Sequence, residues 1–313
     1  MHFLDFEKRI ADLEAKIKEL SLLAPSKILD NKEIFSLKKE VDSLLEKTYN
    51  KLTPWQITQV ARHPERPHSC DYIEELIDNF QVLSGDRKYG DDKAIIAGIG
   101  SLEEHSVMVI GQEKGSDTES RVIHNFGMAR PEGYRKVARL FKLADKLKLP
   151  IITLIDTAGA YPGVGAEERG QAEAIANCIA TSLETRVPII SVIIGEGGSG
   201  GAVALATGNR ILMLENSIYS VISPEGCASI LWRDENKAKL AADALSITAN
   251  TLKNKNIIDS IIEEPLGGAH RDHKLTIKNV KKSIIKSLEE LINIDPKSIL
   301  DMKKEKFLSI GRL

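Results

Sequence analysis

A glycine-rich segment, residues 195–201, is the part of this 313-residue chain whose residue types best suit chemistry. Five of the six residues before it, 189–194, are apolar and β-branched, which is typical of a buried strand. Residues 200–206 can then open a short helix. Backbone N–H groups at such a helix start attract negative charge, and glycine allows a ligand to come close. The segment therefore predicts a turn that binds an anion or a developing oxyanion.

A dinucleotide site is the first alternative for the same segment. Gly195, Gly197 and Gly200 match the pattern G-x-G-x-x-G between a strand and a helix, and Glu215 ends the next strand at a suitable distance. The helix has room for only about two turns before Gly208, and no second mononucleotide-binding half follows. Both points weigh against this alternative.

A serine nucleophile is the second alternative. Ser199 occupies the centre of G-x-S-x-G, with His270 and His273 downstream as hydrolase order requires. Residues 267–270 resemble a turn, however, and no acid partner for either histidine can be singled out. A small residue that lets two backbones approach explains Ser199 better.

An oxyanion hole is the third and preferred interpretation. Gly200 and Gly201 would present bare N–H groups at the start of the helix. One such donor contributes about 3 to 4 kcal/mol in a transition state, so backbone groups alone can dominate catalysis. A tight contact between helix and strand, without a ligand, is the structural alternative.

The elements that would position this turn belong to an α/β domain. Apolar strands are predicted at 94–97, 107–110, 151–155, 189–194 and 211–214, with helices at 132–148, 165–184 and 200–206, and a mainly helical region from Pro224. A second glycine loop, 156–165, follows the strand at 151–155, and Ser223 with Pro224 forms a helix start. In open α/β sheets ligands bind at the carboxyl ends of strands, so several loops should share one site.

The first 50 residues predict a helical hairpin. Ile10, Leu13, Ile17 and Leu20 form one apolar stripe, a second stripe begins at Leu37, Val41 and Leu44, and residues 24–31 predict the break between the helices. We expect an arm used in packing or assembly.

Charge and composition restrict the partners. A net charge of −2 gives no basic field for nucleic acid or an anionic membrane, and no uninterrupted apolar stretch reaches the length of a membrane span. The three cysteines are far apart and lack metal-ligand or disulfide spacing. We expect a cytoplasmic protein with neither partner. Lys114, Arg130, Arg135 and Lys136 could meet phosphates or an acidic partner, although solvated helix faces explain them more simply.

A series of motifs in consistent order resembles the α subunits of bacterial acetyl-CoA carboxylase carboxyltransferases. The matching segments are 61–67, 125–128, 131–136, 156–171, 195–201, 219–232 and 265–271. Two departures are Ala158, where the family usually has proline, and Gln112-Glu113, where His-Gln is more usual.

The resemblance implies a crotonase-like spiral of ββα repeats in an α/β fold, with residues 1–50 as the hairpin and 51–313 as the carboxyltransferase domain. It implies an α2β2 assembly with a β subunit that carries a zinc ribbon, and no metal in this chain. The reaction would move a carboxyl group from carboxybiotin, on the biotin carboxyl carrier protein, to acetyl-CoA. The product would be malonyl-CoA for fatty acid synthesis. Biotin carboxylase, which uses ATP, would be a further component.

The resemblance also assigns residues. Gly200 and Gly201 would stabilise the ureido oxygen of biotin, the β subunit would supply the matching pair for the enolate, and Gly201→Val should abolish transfer without disturbing assembly. The carboxybiotin pocket would include Gly197, Gly198, Gly159, Ala160 and Tyr161. A lone crotonase-type hydratase, which needs paired acids, and a non-catalytic scaffold are the alternatives. Glu167 and Glu168 are adjacent and would not share a helix face.

Overall fold

The computed structural model describes residues 2–23 and 28–312. These residues form eight strands: β1 (Asp78–Val82), β2 (Ile95–Leu102), β3 (His105–Gln112), β4 (Ile151–Thr157), β5 (Ile189–Gly198), β6 (Arg210–Leu214), β7 (Ile218–Ser220) and β8 (Ser260–Ile262). They also form fourteen α-helices: α1 (Lys8–Leu23), α2 (Ile28–Tyr49), α3 (Pro54–Ala61), α4 (Ser69–Leu76), α5 (Thr118–Ile123), α6 (Pro131–Leu147), α7 (Val164–Glu168), α8 (Gln171–Glu184), α9 (Ser199–Ala206), α10 (Pro224–Trp232), α11 (Ala238–Leu245), α12 (Ala249–Asn254), α13 (His273–Leu291) and α14 (Pro296–Ser309).

One mixed sheet arranges the site-bearing loops. Its strand order is β1-β2-β3-β4-β5-β6-β8, and β7 pairs with the far end of β5. The first three strands are antiparallel, whereas β3, β4, β5, β6 and β8 run parallel. The carboxyl ends of β3, β4 and β5 therefore lie side by side at one edge, as the predicted α/β class requires.

The two central strands are buried on both faces. Every residue of β4 and β5 is buried. Ile151 and Ile155 face the core layer that contains α6, α8 and α9, whereas Ile152 and Leu154 face the layer that contains α4 and α13. Burial on both faces explains why these strands have continuous apolar runs and why they give the site a rigid base.

The strand predictions were right in place but incomplete. β2 and β3 are longer than predicted, and β1, β7 and β8 were not predicted. β7 and β8 have three residues each, and β1 has a polar, largely exposed sequence. β2 continues through Gly98. A Cβ at this position would lie 2.3 Å from the carbonyl oxygen of Gln81 in β1, so the close pairing of the two strands needs glycine.

The prediction of a single helix over residues 165–184 was wrong. The chain forms α7 and α8 instead, separated by Arg169 and Gly170. Gly170 has a φ of +78°, a left-handed conformation that ends one helix and redirects the next. The prediction failed because the helical spacing of the apolar residues continues across the turn.

The N-terminal helices pack as a hairpin. Ile10, Val41 and Leu45 form their buried core, with Leu13 and Ile17 beside them. The break predicted at 24–31 is shorter at its end, because α2 begins at Ile28, and residues 24–27 lie outside the described residues.

Arg271 forms an ionic contact between the hairpin and the rest of the chain. Arg271 Nη1 donates to Glu14 Oε1 at 2.6 Å across 257 residues of sequence. Glu7, which is fully buried, lies 3.7 Å from the same guanidinium and accepts the hydroxyl hydrogen of Tyr49 at 2.9 Å. Residues of both predicted regions, 1–50 and 51–313, therefore meet at a charged contact.

The C-terminal helix carries a buried lysine. Lys303 has no exposed surface, and its Nζ donates to the carbonyl oxygens of Ser182 at 2.6 Å and Thr185 at 2.8 Å, at the end of α8. Burial lowers the pKa of Lys303 to about 7. Across residues 2–23 and 28–312, no helix combines the length and apolarity needed to cross a membrane.

Candidate active site

Two glycine loops touch at the edge of the sheet where β4 and β5 end. A Cβ on Gly201, in the first turn of α9, would lie 2.7 Å from the carbonyl carbon of Gly159 and 2.9 Å from Ala160 N. Real Cβ atoms do not approach backbone so closely, so position 201 requires glycine. The structure thus brings together Gly200, Gly201, Gly159 and Ala160, which the sequence assigned to one site.

The start of α9 leaves its backbone donors available. Gly198 is the N-cap residue and, within the described chain, no side chain caps this end. Gly200 is half-buried, and the atom nearest to a Cβ placed on it would be a methyl carbon of Ile175 at 3.6 Å. The first N–H groups of a helix have no intrahelical acceptor, so this end suits an incoming oxygen.

The loop after β4 is braced internally. Thr157 Oγ1 donates to Gly159 O at 2.7 Å and accepts from Gly159 N at 3.1 Å. Tyr161 N donates to Ala129 O at 3.0 Å, and the Arg130 guanidinium lies 4.5 Å from the centre of the Tyr161 ring. These contacts fix the side of the site predicted to hold carboxybiotin.

Gly197 and Gly198 are explained by packing within the chain. Both are buried at the end of β5. A Cβ on Gly198 would lie 2.2 Å from Ala158 O, and one on Gly197 would lie 3.0 Å from the Tyr219 ring. Their contact with substrate stays a prediction.

Two buried acids and two cations lie beside the loops. Lys114 Nζ is 2.6 Å from Asp156 Oδ1 and 3.6 Å from Glu196 Oε2. Arg62 donates to Glu196 through Nη2 at 2.7 Å and to Glu225 through Nη1 at 2.6 Å. Burial opposes ionisation of Glu196, but Lys114 and Arg62 outweigh it and hold its pKa below the usual range.

A cavity of about 230 Å³ adjoins this network. Its polar lining includes Arg62, Arg66, His68, Lys114, Asp156 and Glu196, and Ala158 connects it to the loop after β4. Arg66 and Glu264 form a buried pair at 2.7 Å behind it. Arg62, Arg66 and Lys114 are thereby each matched by a carboxylate of the chain itself, whereas Arg121, which also lines the cavity, donates to the carbonyl oxygen of Gly115.

One buried amide joins the two loops. Gln112, at the end of β3, donates from Nε2 to Gly201 O at 2.8 Å, and its Oε1 accepts from Asp156 N at 3.2 Å. It has no exposed surface. In the sequence, Gln112 differs from the usual residue of the family and carries no other signal. Its partners lie 44 and 89 residues away, so no local spacing indicates the contact.

The dinucleotide alternative does not fit this geometry. Gly195 lies inside β5, where a Cβ would be 2.6 Å from Asp156 Oδ1. Glu215 accepts the N–H of Glu264 at 3.3 Å, and burial raises its pKa. The glycine spacing therefore serves packing within the sheet.

The serine alternative has the turn but lacks the base. Ser199 has a φ of +50°, the strained conformation that a nucleophile elbow uses. His270 stacks on His63 with ring centroids 3.8 Å apart, and both of its ring nitrogens are buried without a hydrogen-bond partner within the described residues. Burial, assisted by nearby positive charge, lowers the pKa of His270 to about 2. His273 Nε2 is bonded to Glu65 O at 2.7 Å. In the described part of the chain, neither histidine makes a hydrogen bond to Ser199.

The expectation that the basic residues lie on solvated helix faces was wrong. Lys136 has a side chain 2% exposed and contacts Asp91 at 2.6 Å, while Arg135 contacts Asp86 at 2.7 Å. Such desolvated cations require internal partners. By contrast, Glu167 and Glu168 are exposed on α7, so the paired acids of a hydratase are not formed there.

Solved structures share this fold. Transcarboxylase 12S, solved with methylmalonyl-coenzyme A and methylmalonic acid bound, aligns with a TM-score of 0.59 at 18% identity, covering 72% of this chain and 42% of its own. The beta subunit of geranyl-CoA carboxylase from P. aeruginosa aligns with a TM-score of 0.58 at 16% identity, over 79% and 46%. The fold is therefore the predicted crotonase-like fold, in the form found in carboxyltransferases.

Sequence similarity then identifies the family. The family described as "Acetyl co-enzyme A carboxylase carboxyltransferase-like" matches residues 3–311. The acetyl-coenzyme A carboxylase carboxyl transferase subunit alpha of Paramagnetospirillum magneticum is 58% identical over 100% of this chain and 99% of its own length. That of Zymomonas mobilis subsp. mobilis is 56% identical over 99% of both. The chain belongs to the family of acetyl-CoA carboxylase carboxyltransferase α subunits.

Proposed function

We propose that this chain is the α half of a carboxyltransferase that moves a carboxyl group from carboxybiotin to acetyl-CoA, forming malonyl-CoA. The observation that carries the proposal is the uncapped start of α9, where Gly200 leaves space for an oxygen and Gly201 lies against Gly159. Carboxybiotin arrives as a substrate on its carrier protein.

The role of the glycine pair follows from where charge develops. The N–carboxyl bond of carboxybiotin breaks, a carbon–carbon bond forms at the acetyl methyl group, and the methyl proton passes to the biotin nitrogen. Negative charge gathers on the ureido oxygen while the nitrogen is released. The N–H groups of Gly200 and Gly201 are rigidly aimed and need no reorganisation, so they stabilise that oxygen.

The other site residues shape the pocket in this proposal. Gly159, Ala160 and Tyr161 form its wall opposite α9, with Gly197 and Gly198 behind it. The acetyl-CoA enolate is stabilised by a matching pair in a β subunit with a zinc ribbon, in an α2β2 assembly. The biotin carboxyl carrier protein and biotin carboxylase complete the cytoplasmic system, which serves fatty acid synthesis.

Reconstitution tests the proposal. The chain is co-expressed with a β subunit from the same genome, and acetyl-CoA release from malonyl-CoA is followed in the presence of biocytin. We expect release that depends on biocytin and on both subunits. Turnover of an acyl-CoA by the purified chain alone would favour a lone hydratase or isomerase, and an inactive but correctly assembled complex would contradict the proposed reaction.

A further inference from the structure

Both ends of the glycine segment 195–201 are tied to the end of β4. At one end Glu196 N donates to Asp156 Oδ1 at 2.9 Å. At the other end Gln112 connects the same aspartate to α9, because it accepts from Asp156 N at 3.2 Å and donates to Gly201 O at 2.8 Å. The turn that presents Gly200 is thus held between two fixed points.

The amide of Gln112 suits this position in both of its polar atoms. One neighbour offers an N–H and the other a carbonyl, so the Nε2 and Oε1 assignment is fixed by the network. The side chain is completely buried, which leaves water no access to either group. Its loss would leave a buried donor and a buried acceptor unpaired.

We infer that Gln112 is a positioning residue for carboxyl transfer, which sets the start of α9 against the loop after β4. It touches no substrate; it acts through Gly201 and Asp156. This inference rests on the proposed function, because its consequence is measured on the transfer rate. Displacing catalytic groups by about 1 Å can cost roughly 100-fold in rate, and the Gln112 bridge contributes two buried hydrogen bonds that help to set this distance.

Thr153 offers a matched control. It is also fully buried, and its Oγ1 donates to Leu205 O at 2.8 Å, at the opposite end of the same helix. Leu205 O keeps a second donor, Ser191 Oγ, at 2.9 Å. Thr153→Val therefore removes one buried hydrogen bond to α9 without touching its first turn.

The experiment compares Gln112→Leu, Gln112→His and Thr153→Val in the reconstituted α2β2 enzyme. For Gln112→Leu we expect kcat for biocytin-dependent malonyl-CoA consumption to fall about 10- to 100-fold, with KM for malonyl-CoA within about threefold. A neutral imidazole also has one donor and one acceptor, so Gln112→His should recover at least part of kcat. Thr153→Val should keep kcat within about threefold and lose only thermal stability.

The outcomes separate the inference from the proposed function. An inactive wild-type complex refutes the proposed function, whereas an active wild type with unchanged kcat in Gln112→Leu overturns the inference alone. An equal loss of kcat in Thr153→Val also overturns it, because the effect is then one of general stability. If Gln112→Leu does not fold, Gln112→Glu replaces it: burial should raise the pKa of this acid, so kcat should fall with rising pH as it ionises. A wild-type pH profile in that variant refutes the inference.

Discussion

Adding one methyl group should affect the transfer rate very differently at the adjacent residues Gly200 and Gly201. A Cβ at position 200 would meet only the Ile175 side chain at 3.6 Å, an ordinary contact. At position 201 the same atom would meet backbone atoms of Gly159 and Ala160 at 2.7 to 2.9 Å. Gly200→Ala and Gly201→Ala therefore form a matched pair. Gly201→Val, suggested by the sequence alone, would add two more methyl groups where the contact with Gly159 already leaves no room for a Cβ.

The magnitude follows from the contact distances. Gly201 and Gly159 must separate by about 0.7 Å to restore the 3.4 Å at which ordinary contact begins. A shift of about 1 Å costs roughly 100-fold in rate, so a shift of about 0.7 Å should cost about 25-fold. That loss corresponds to about 2 kcal/mol of transition-state stabilisation, somewhat less than the complete loss of one oxyanion donor. Gly200→Ala should lose less activity than Gly201→Ala, because its Cβ displaces no backbone.

The assay is steady-state malonyl-CoA consumption by the reconstituted enzyme at saturating biocytin, with assembly of the two subunits checked by light scattering. KM for malonyl-CoA should change little in either variant, because the affected donors act on developing charge. Equal rates for the two variants, or a larger loss in Gly200→Ala, would refute the assigned geometry of α9 and the loop after β4.

Two further predictions concern buried charge. Because burial lowers the pKa of Lys303 to about 7, this side chain binds a proton in the unfolded chain but not in the folded chain above that pH. Urea denaturation between about pH 7 and 8.5 should therefore show the stability of the wild type rising by about 1 kcal/mol per pH unit relative to that of Lys303→Met. Glu196→Gln should cost roughly 2 kcal/mol of unfolding free energy, because it leaves desolvated Lys114 and Arg62 partly unpaired. Glu225→Gln should cost less than about 1 kcal/mol, because the Glu225 side chain is 38% exposed. Equal costs would show that burial does not distinguish the two carboxylates.

Local sequence predicted the central elements because their chemistry is local. The apolar residues of β4 and β5 are buried on both faces, and that burial imposes the continuous β-branched runs from which the strands were predicted. The stripes of α1 and α2 follow for the same reason, since each packs one face against the other. Elements of three residues, such as β7 and β8, carry too few side chains to show a period.

The sequence predicted the glycines of the candidate site, but not the side chains that hold the glycine loops in place. Glycine is informative on its own, because a glycine such as Gly201 at the start of a helix usually marks a place where backbone must approach closely. Gln112 and Lys114 became interpretable only when distant segments were brought together, since an amide or an ammonium group fits equally well on a surface. The same limit explains why Lys136 was misplaced on a solvated face.

The Arg271 contact has a consequence for how the chain is made. Glu14 leaves the ribosome 257 residues before its partner arginine. At about 5 to 20 residues per second, roughly 13 to 50 s pass between the synthesis of Glu14 and that of Arg271. During that interval α1 and α2 can already pack their apolar stripes against each other. The ion pair between Glu14 and Arg271 is thus among the last contacts of α1 that synthesis of the chain permits.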